Sequence, residues 1–364
     1  MKIAFYGSSL VSSYWNGAAT YYRGIIRQLH KLGHQVTFYE PNVYDRQKHR
    51  DICPPEWCRS VVYDGTTEAL KEHARKAAKA DVVVKTSGVG FEDEALFDEV
   101  FAAAHPQSLK IFWDVDAPAT LSEMRSHSTH PLHRQIPEVD LVLTYGGGKP
   151  VIDGYHAMGA RECIPIYNAL DPDTHHPVRA ENRFTADLSF LGNRLPDREA
   201  RVEQFFFDAA EQASSQRFIL GGSGWGDKAM PSNIRYIGHV PTKDHNAFNV
   251  TPKAVLNISR ESMAQNGYSP ATRVFEAAGA GACLITDSWE GLDMFLKEGE
   301  EVLAARDGQE VAEILQSLTD KEAKRIGENG RRRILREHTY AHRAAELDRI
   351  LKNHLHNNHI EAAE

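Results

Sequence analysis

Short apolar runs alternate with amphipathic stretches through the first half of the chain, a pattern that predicts a parallel sheet with crossover helices. The runs predict strands from Lys2 to Tyr6, Gln35 to Tyr39, Ser60 to Tyr63, Asp81 to Lys85, Leu109 to Trp113, Leu141 to Tyr145 and Glu162 to Ile166. The clearest helical periods run from Ala18 to Leu32, Glu68 to Ala78 and Glu94 to Ala104. The following stretch, NALDPDTHHPVRAENRFTA, is polar and proline-bearing with neither period, and reads as an interdomain linker over 169–186.

The second half repeats the alternation. Strands are predicted from Leu188 to Leu191, Phe218 to Leu220, Ile234 to Ile237, Ala254 to Ile258, Cys283 to Thr286 and Val302 to Ala305. Helices are predicted from Arg198 to Glu211, Pro270 to Ala278, Val311 to Leu318 and Lys321 to Arg336, and a last one from Tyr340 to Leu355. The organisation expected is therefore a first domain over 1–168, a second over 187–336, a helical segment over 337–356 and a frayed tail over 357–364. At 364 residues, each domain is large enough to bury its own core.

Ser269 to Asp287, SPATRVFEAAGAGACLITD, joins a helix start, a glycine exit and a buried strand. Ser269 is a good N-cap, and Pro270 suits the first helical position, where a missing N–H costs nothing. The amides of Ser269, Ala271, Thr272 and Arg273 and the positive end of the helix dipole then form an anion site, with the Arg273 guanidinium as a charged fork. Glu276, four residues after Thr272, shares its face and is placed to reach a ribose beside that anion. The competing reading is a buried helix whose Glu276 pairs with Arg273.

Arg273-x-x-Glu276, Gly279-Ala280-Gly281-Ala282 and Leu284-Ile285-Thr286-Asp287 together resemble the nucleotide-sugar motif of GT-B glycosyltransferases. More closely, they resemble the glycosyltransferase-like proteins related to the spore maturation protein CgeB. The likeness extends to Phe190-Leu191-Gly192-Asn193-Arg194 with Asp197-Arg198, and to Glu337-His338-Thr339-Tyr340 with Arg343. It is looser through Phe112 to Pro118 and Thr144 to Gly148. The resemblance implies an α/β GT-B fold: two Rossmann-like parallel-sheet domains facing a central cleft, with the last helix crossing back to the first. It implies a donor diphosphate held by Arg194 and Arg198 with the Ser269 helix, and a base near the loops of Gly222, Trp225 and His239. Trp225 either flanks that base or packs beneath it. One departure stands out. Where the retaining enzymes of this fold carry a first glutamate, the chain has Tyr268, which cannot bind a donor sugar as a carboxylate does.

Composition narrows the classes. Hydrophobic residues at 41% and charged residues at 25% are those of a globular protein. A net charge of −8 argues against a nucleic-acid partner held by a general basic surface. The opening MKIAFYGSS runs straight into a strand without a charged and then apolar leader, and no apolar run nears the roughly 20 residues that span a bilayer. Cys53, Cys58, Cys163 and Cys283 make no disulfide framework, so a reducing cytoplasm is expected.

In open parallel sheets, ligands bind beyond the carboxyl ends of strands. After the first strand, Ser8 and the turn Asn16-Gly17 read either as an acceptor-side loop with amides facing a ligand or as a turn with a helix cap. Asp114-Val115-Asp116 ends another strand. A D-x-D of this kind can hold a divalent ion through hard oxygen ligands. The second-half motifs point instead to a fold in which helix amides and arginines replace the metal, so no metal and no cofactor are expected. Asp116 is a candidate general base toward an acceptor hydroxyl, or a cap on the Ala117-Pro118 turn. Gly146-Gly147-Gly148 reads as an anion nest or a flexible strand exit. His127, His130 and His133 share a spacing, but Pro131 interrupts the helix that a zinc site on them would need. His49, Arg50, Tyr14 and Trp15 are unassigned.

The function expected is metal-independent transfer of a sugar from a nucleotide-diphosphate donor to a hydroxyl acceptor, with base, sugar, acceptor, stereochemistry and oligomeric state open. The alternatives are an epimerase or hydrolase of nucleotide sugars on the same fold, and a non-catalytic assembly protein of the spore or cell surface with a degenerate donor site.

Overall fold

The structure is a computed structural model, and it describes residues 1–14 and 16–361; Trp15, among the unassigned residues, and the end of the tail at 362–364 lie outside the described residues. It divides into two compact units. One comprises Met1–Tyr167 with Tyr340–Glu364, and the other comprises Asn168–Thr339.

The strands of the first unit are β1 (Lys2–Tyr6), β2 (Gln35–Asn42), β3 (Arg59–Asp64), β4 (Val82–Thr86), β5 (Leu109–Asp114), β6 (Leu141–Thr144) and β7 (Cys163–Pro165). They form one sheet in the order β3-β2-β1-β4-β5-β6-β7, every pair parallel. Its helices are α1 (Ala19–Lys31), α2 (Thr67–Ala74), α3 (Asp93–Ala103), α4 (Ala117–Ser126), α5 (Leu132–Gln135) and α6 (Gly148–Ala157). Central strands such as β4, VVVKT, are buried on every residue, as strands covered on both faces must be. That is why they read as continuous apolar runs rather than alternations.

The second unit has β8 (Leu188–Leu191), β9 (Phe218–Gly221), β10 (Ile234–Gly238), β11 (Ala254–Asn257), β12 (Leu284–Asp287) and β13 (Leu303–Ala305). Their order is β10-β9-β8-β11-β12-β13, again all parallel. Its helices are α7 (Pro196–Val202), α8 (Asp208–Gln212), α9 (His245–Val250), α10 (Glu261–Asn266), α11 (Thr272–Ala280), α12 (Gly308–Ser317) and α13 (Asp320–Glu337). A π-helical turn over Glu203–Phe207 joins α7 to α8 and buries three phenylalanines, so the one helix expected from Arg198 to Glu211 is wound in three segments. The last helix, α14 (Tyr340–Glu361), belongs to the first unit and runs through much of the expected frayed tail. His34 Nε2 meets Asp348 Oδ1 on it at 2.8 Å, and Tyr340 lies against Gly24, where an added Cβ would come within 2.3 Å of the ring.

Two expectations change here. The segment expected as a linker is packed onto the second unit: Leu170 donates its amide to His338 O at 2.9 Å, His175 is buried, and Phe184 meets Phe248 edge-on at 5.4 Å. Its anchors are single apolar residues spaced too irregularly to register as a period. The glycine run at 146–148 is not a loose exit, because Gly147, at φ 99°, is the N-cap residue of α6.

Candidate functional site

In both sheets the strand order reverses beside the first strand of the unit, between β1 and β4 and between β8 and β11. The carboxyl ends flanking such a reversal are where open α/β sheets bind ligands.

In the second unit, β8 runs out into Gly192, and α11 begins after the turn Gly267-Tyr268-Ser269. The N-cap of α11 is Ala271, extended at φ −64° and ψ 153°, and no side chain caps it. Ser269 is therefore not the cap expected. Its hydroxyl donates back to Gly267 O at 2.9 Å, while Pro270 and Ala271 stay extended and the helix starts two residues late. The positive end of α11 is left without a side-chain oxygen, which suits an incoming anion. Thr272 Oγ1 accepts from Asn168 Nδ2 at 3.2 Å.

Arg273 donates to Asn249 Oδ1 at 3.4 Å, and Asn249 Nδ2 is buried without a hydrogen-bond partner. The Arg198 guanidinium lies at the end of β8, where a Cβ on Gly192 would come within 3.1 Å of it, and its Nε is likewise buried and unpartnered. Burial lowers the pKa of both guanidiniums, and the charge of Arg273 presses Arg198 lower still. Neither has a carboxylate within ion-pair distance among the described residues. Two partly buried cations that repel each other, with polar atoms unmatched, make an arrangement that an anion would suit.

Glu276 does not pair with Arg273. Its nearest ion-pair partner is His175, Nε2 to Oε1 at 3.8 Å, from the segment expected as a linker. His245 also faces this group, and its pKa is lowered by burial first and the Arg273 charge second, with Glu276 opposing. The Glu276 carboxylate thus lies near His175 and is felt electrostatically by His245 and Arg273. Sequence reasoning missed His175, His245 and Asn249, because no motif links them to α11 and only packing brings them there.

Three expectations about this end of the sheet are corrected. Arg194 does not join Arg198: its guanidinium is neutralised by Glu199 at 2.6 Å and Asp227 at 2.9 Å. Trp225 cannot flank a base, since it is fully buried against Phe207 and donates Nε1 to Gly192 O at 2.8 Å. Gly222 holds φ 119°, and a Cβ there would lie 2.1 Å from Gly192 O, so its role is to let two strand ends meet. His239 is exposed just beyond β10. Beneath the site, Arg201 joins Asp287 at 2.7 Å and donates to Ser259 O at 3.1 Å, tying the ends of β11 and β12.

In the first unit, Asp114 is buried, accepts from Tyr155 Oη at 2.5 Å and from the Asp116 amide at 2.9 Å. It is a structural carboxylate. Asp116, partly exposed, is the N-cap residue of α4 without a side-chain cap bond. Ser8 donates to Asn16 Oδ1 at 2.8 Å, and Asn16 Nδ2 donates to Ser9 O at 2.8 Å and Ser12 O at 3.0 Å. Those side chains brace the loop after β1 instead of facing a ligand. Gly17 is exposed with open space around its Cα. His127, His130 and His133 turn to different partners, with His133 Nε2 at 2.9 Å from Met124 O and His130 at 4.0 Å from Glu123.

A glycosyl transferase-like family model matches residues 198–349. A comparison of the sequence with curated proteins finds no match. Among solved structures, Anabaena HepE in complex with UDP and glucose is similar with a TM-score of 0.69 at 13% identity, over 97% of this chain and 100% of that one. Sucrose-phosphate synthase from Thermosynechococcus elongatus is similar with a TM-score of 0.68 at 13% identity, over 100% of both chains. AviGT4, a glycosyltransferase of avilamycin A biosynthesis, is similar with a TM-score of 0.64 at 18% identity, over 98% of each chain. The fold is that of GT-B glycosyltransferases.

Proposed function

We propose that the chain transfers a sugar from a nucleoside-diphosphate donor to a hydroxyl acceptor, and that it needs no metal ion to do so. The observation that carries this is the pair Arg198 and Arg273 at the uncapped start of α11: two guanidiniums without carboxylate partners, with Arg198 Nε and Asn249 Nδ2 unmatched beside them. A departing diphosphate develops negative charge, and fixed cations with a helix dipole stabilise it without reorganising. That supplies what a divalent ion would otherwise supply. Glu276, oriented by His175, takes the ribose hydroxyls. Asp116 is the proposed base toward the acceptor. The resemblance of the motifs to the CgeB-related branch supports a place there, and the free cysteines support a cytoplasmic setting. Among the described residues no helix is long and apolar enough to cross a membrane.

HepE is described in complex with UDP and with UDP-glucose, so uridine diphosphate is the first nucleotide to test. A ligand bound only by the native state adds about 2.7 kcal/mol at a hundred times its Kd, which a thermal-shift assay reads. UDP in EDTA should raise Tm, and Arg198→Met should shrink the shift to about half or less. No shift with UDP, GDP or dTDP would overturn the donor reading; a shift that needs magnesium would overturn its metal independence.

A further inference from the structure

Between α3, α4 and α5 of the first unit, the carboxyl ends of β4 and β5 open into a pocket of about 310 Å³. Lys85, Ser87 and Gly88 form its floor with Phe112, while Thr120, Glu123 and Leu132 are among the wall residues. We propose that this pocket is the acceptor subsite, shaped for one hydroxylated ring of monosaccharide size that carries no anionic group. This inference rests on the glycosyl-transfer reading above.

The floor points to a ligand. Lys85 is 3% exposed, and its ammonium has three donors but one protein acceptor, Asp93 Oδ1 at 2.7 Å. The ammonium also lies 5.9 Å from the centroid of the Phe112 ring. Donors left unmatched in a buried wall are costly, and hydroxyl oxygens of a ligand would satisfy them. An apolar ring face would meet Phe112 and Leu132. A volume at the lower end of the roughly 300–1,000 Å³ typical of small-molecule sites suits one ring better than a chain.

Charge sets the class. Asp93, Glu94 and Glu123 line the pocket against Lys85 and His130, and the Lys85 charge is already matched by Asp93. Glu94 is paired with Arg134 at 2.7 Å, so a carboxylate or phosphate on the ligand would meet Glu123 with the Lys85 charge already taken, whereas an amine would be welcome at Glu123. Position ties the pocket to the chemistry. Ser87 Oγ accepts from the Val115 amide at 3.0 Å, and Thr120 donates to Asp116 O at 3.4 Å, so two lining residues are bonded to the turn that carries the proposed base.

The test is saturation-transfer NMR on the full chain with glucose, glucosamine and glucuronate, alongside the UDP thermal shift. Glucose and glucosamine should show saturation and glucuronate about tenfold less, the worth of one unfavourable charge contact. Leu132→Trp, which fills the pocket from a partly buried position, should remove the sugar signals and keep the UDP shift. Lys85→Met should weaken glucose binding by about tenfold through the lost donor. Equal binding of glucuronate, no saturation by any sugar while UDP still binds, or indifference to Leu132→Trp would each overturn the subsite. Sugar signals that respond to Leu132→Trp in a protein that ignores UDP would support the pocket and sink the donor reading instead.

Discussion

Tyr268 is bound to Glu290 at both ends: its hydroxyl donates to Glu290 Oε1 at 2.8 Å and its amide to Glu290 O at 2.6 Å. Tyr268 takes φ 49° and packs its ring where a Cβ on Gly291 would intrude to 2.3 Å. A tyrosine thus replaces the carboxylate expected from the resemblance, and the turn brings another carboxylate beside it. Hydrogen bonding to Glu290 raises the Tyr268 pKa, so the phenol stays a donor.

Restoring a carboxylate with Tyr268→Glu should therefore fail to improve the proposed sugar transfer. The new charge would face Glu290 and forfeit the ring contact with Gly291, and Tm should fall. Tyr268→Phe loses one hydrogen bond, about 0.5–1.5 kcal/mol, and keeps the packing. Thermal unfolding of the two variants separates these effects; a Tyr268→Glu protein more stable than the parent would contradict the account.

The two arginines past β8 should behave differently. Arg198→Met should weaken UDP binding at least tenfold, the scale of a lost charged hydrogen bond of about 1.5–3 kcal/mol. Arg194→Met should leave the affinity almost unchanged, because Glu199 and Asp227 already occupy that guanidinium. Calorimetric titration with UDP reads both, and equal losses would show that the ion pairs of Arg194 open for the donor.

Glu276→Ala should raise the donor KM strongly with a smaller change in kcat. His175→Gln should raise it less, because it removes only the partner 3.8 Å from that carboxylate. Steady-state kinetics is the check. A KM for Glu276→Ala within twofold of the parent, about 0.4 kcal/mol, would remove the carboxylate from the donor site.

Gly222→Ala forces a side chain into a left-handed backbone and against Gly192 O, 2.1 Å from where its Cβ would be. Strain at such a position costs of order 1–3 kcal/mol, and the steric clash adds to it. Chemical denaturation should show a loss above that range. A neutral outcome would mean that β8 and β9 can part at their ends.

Acid should destabilise the second unit through His245. Burial and Arg273 lower its pKa below the ordinary histidine value, so the unfolded chain binds the proton more readily. The stability that the neutral imidazole supports is complete above about pH 6.5 and is lost as pH falls below it. Replacing His245 by Gln should flatten the slope of stability against pH between 7 and 5, measured by urea unfolding.

The strands are legible along the chain without any coordinates, because a strand buried on both faces must be apolar along its length; β1 and β8 fall where the runs place them. The position of α11 and the candidates Arg198, Arg273 and Glu276 are legible too, since a helix after a turn carries its own signals. Helices α4, α6, α9 and α10 are not, because their short or weakly apolar faces are held by tertiary contacts rather than by period. The partners of each polar group come from folding alone. Whether an arginine is neutralised, as Arg194 is by Asp227, or left with an unmatched Nε, as Arg198 is, depends on residues distant in sequence. Ser269, a cap by its motif, and Trp225, Ser8 and Asn16, each open to a ligand-facing or a packed reading, bond within the protein, because a polar atom near a strand end serves whichever group folding brings within hydrogen-bond reach.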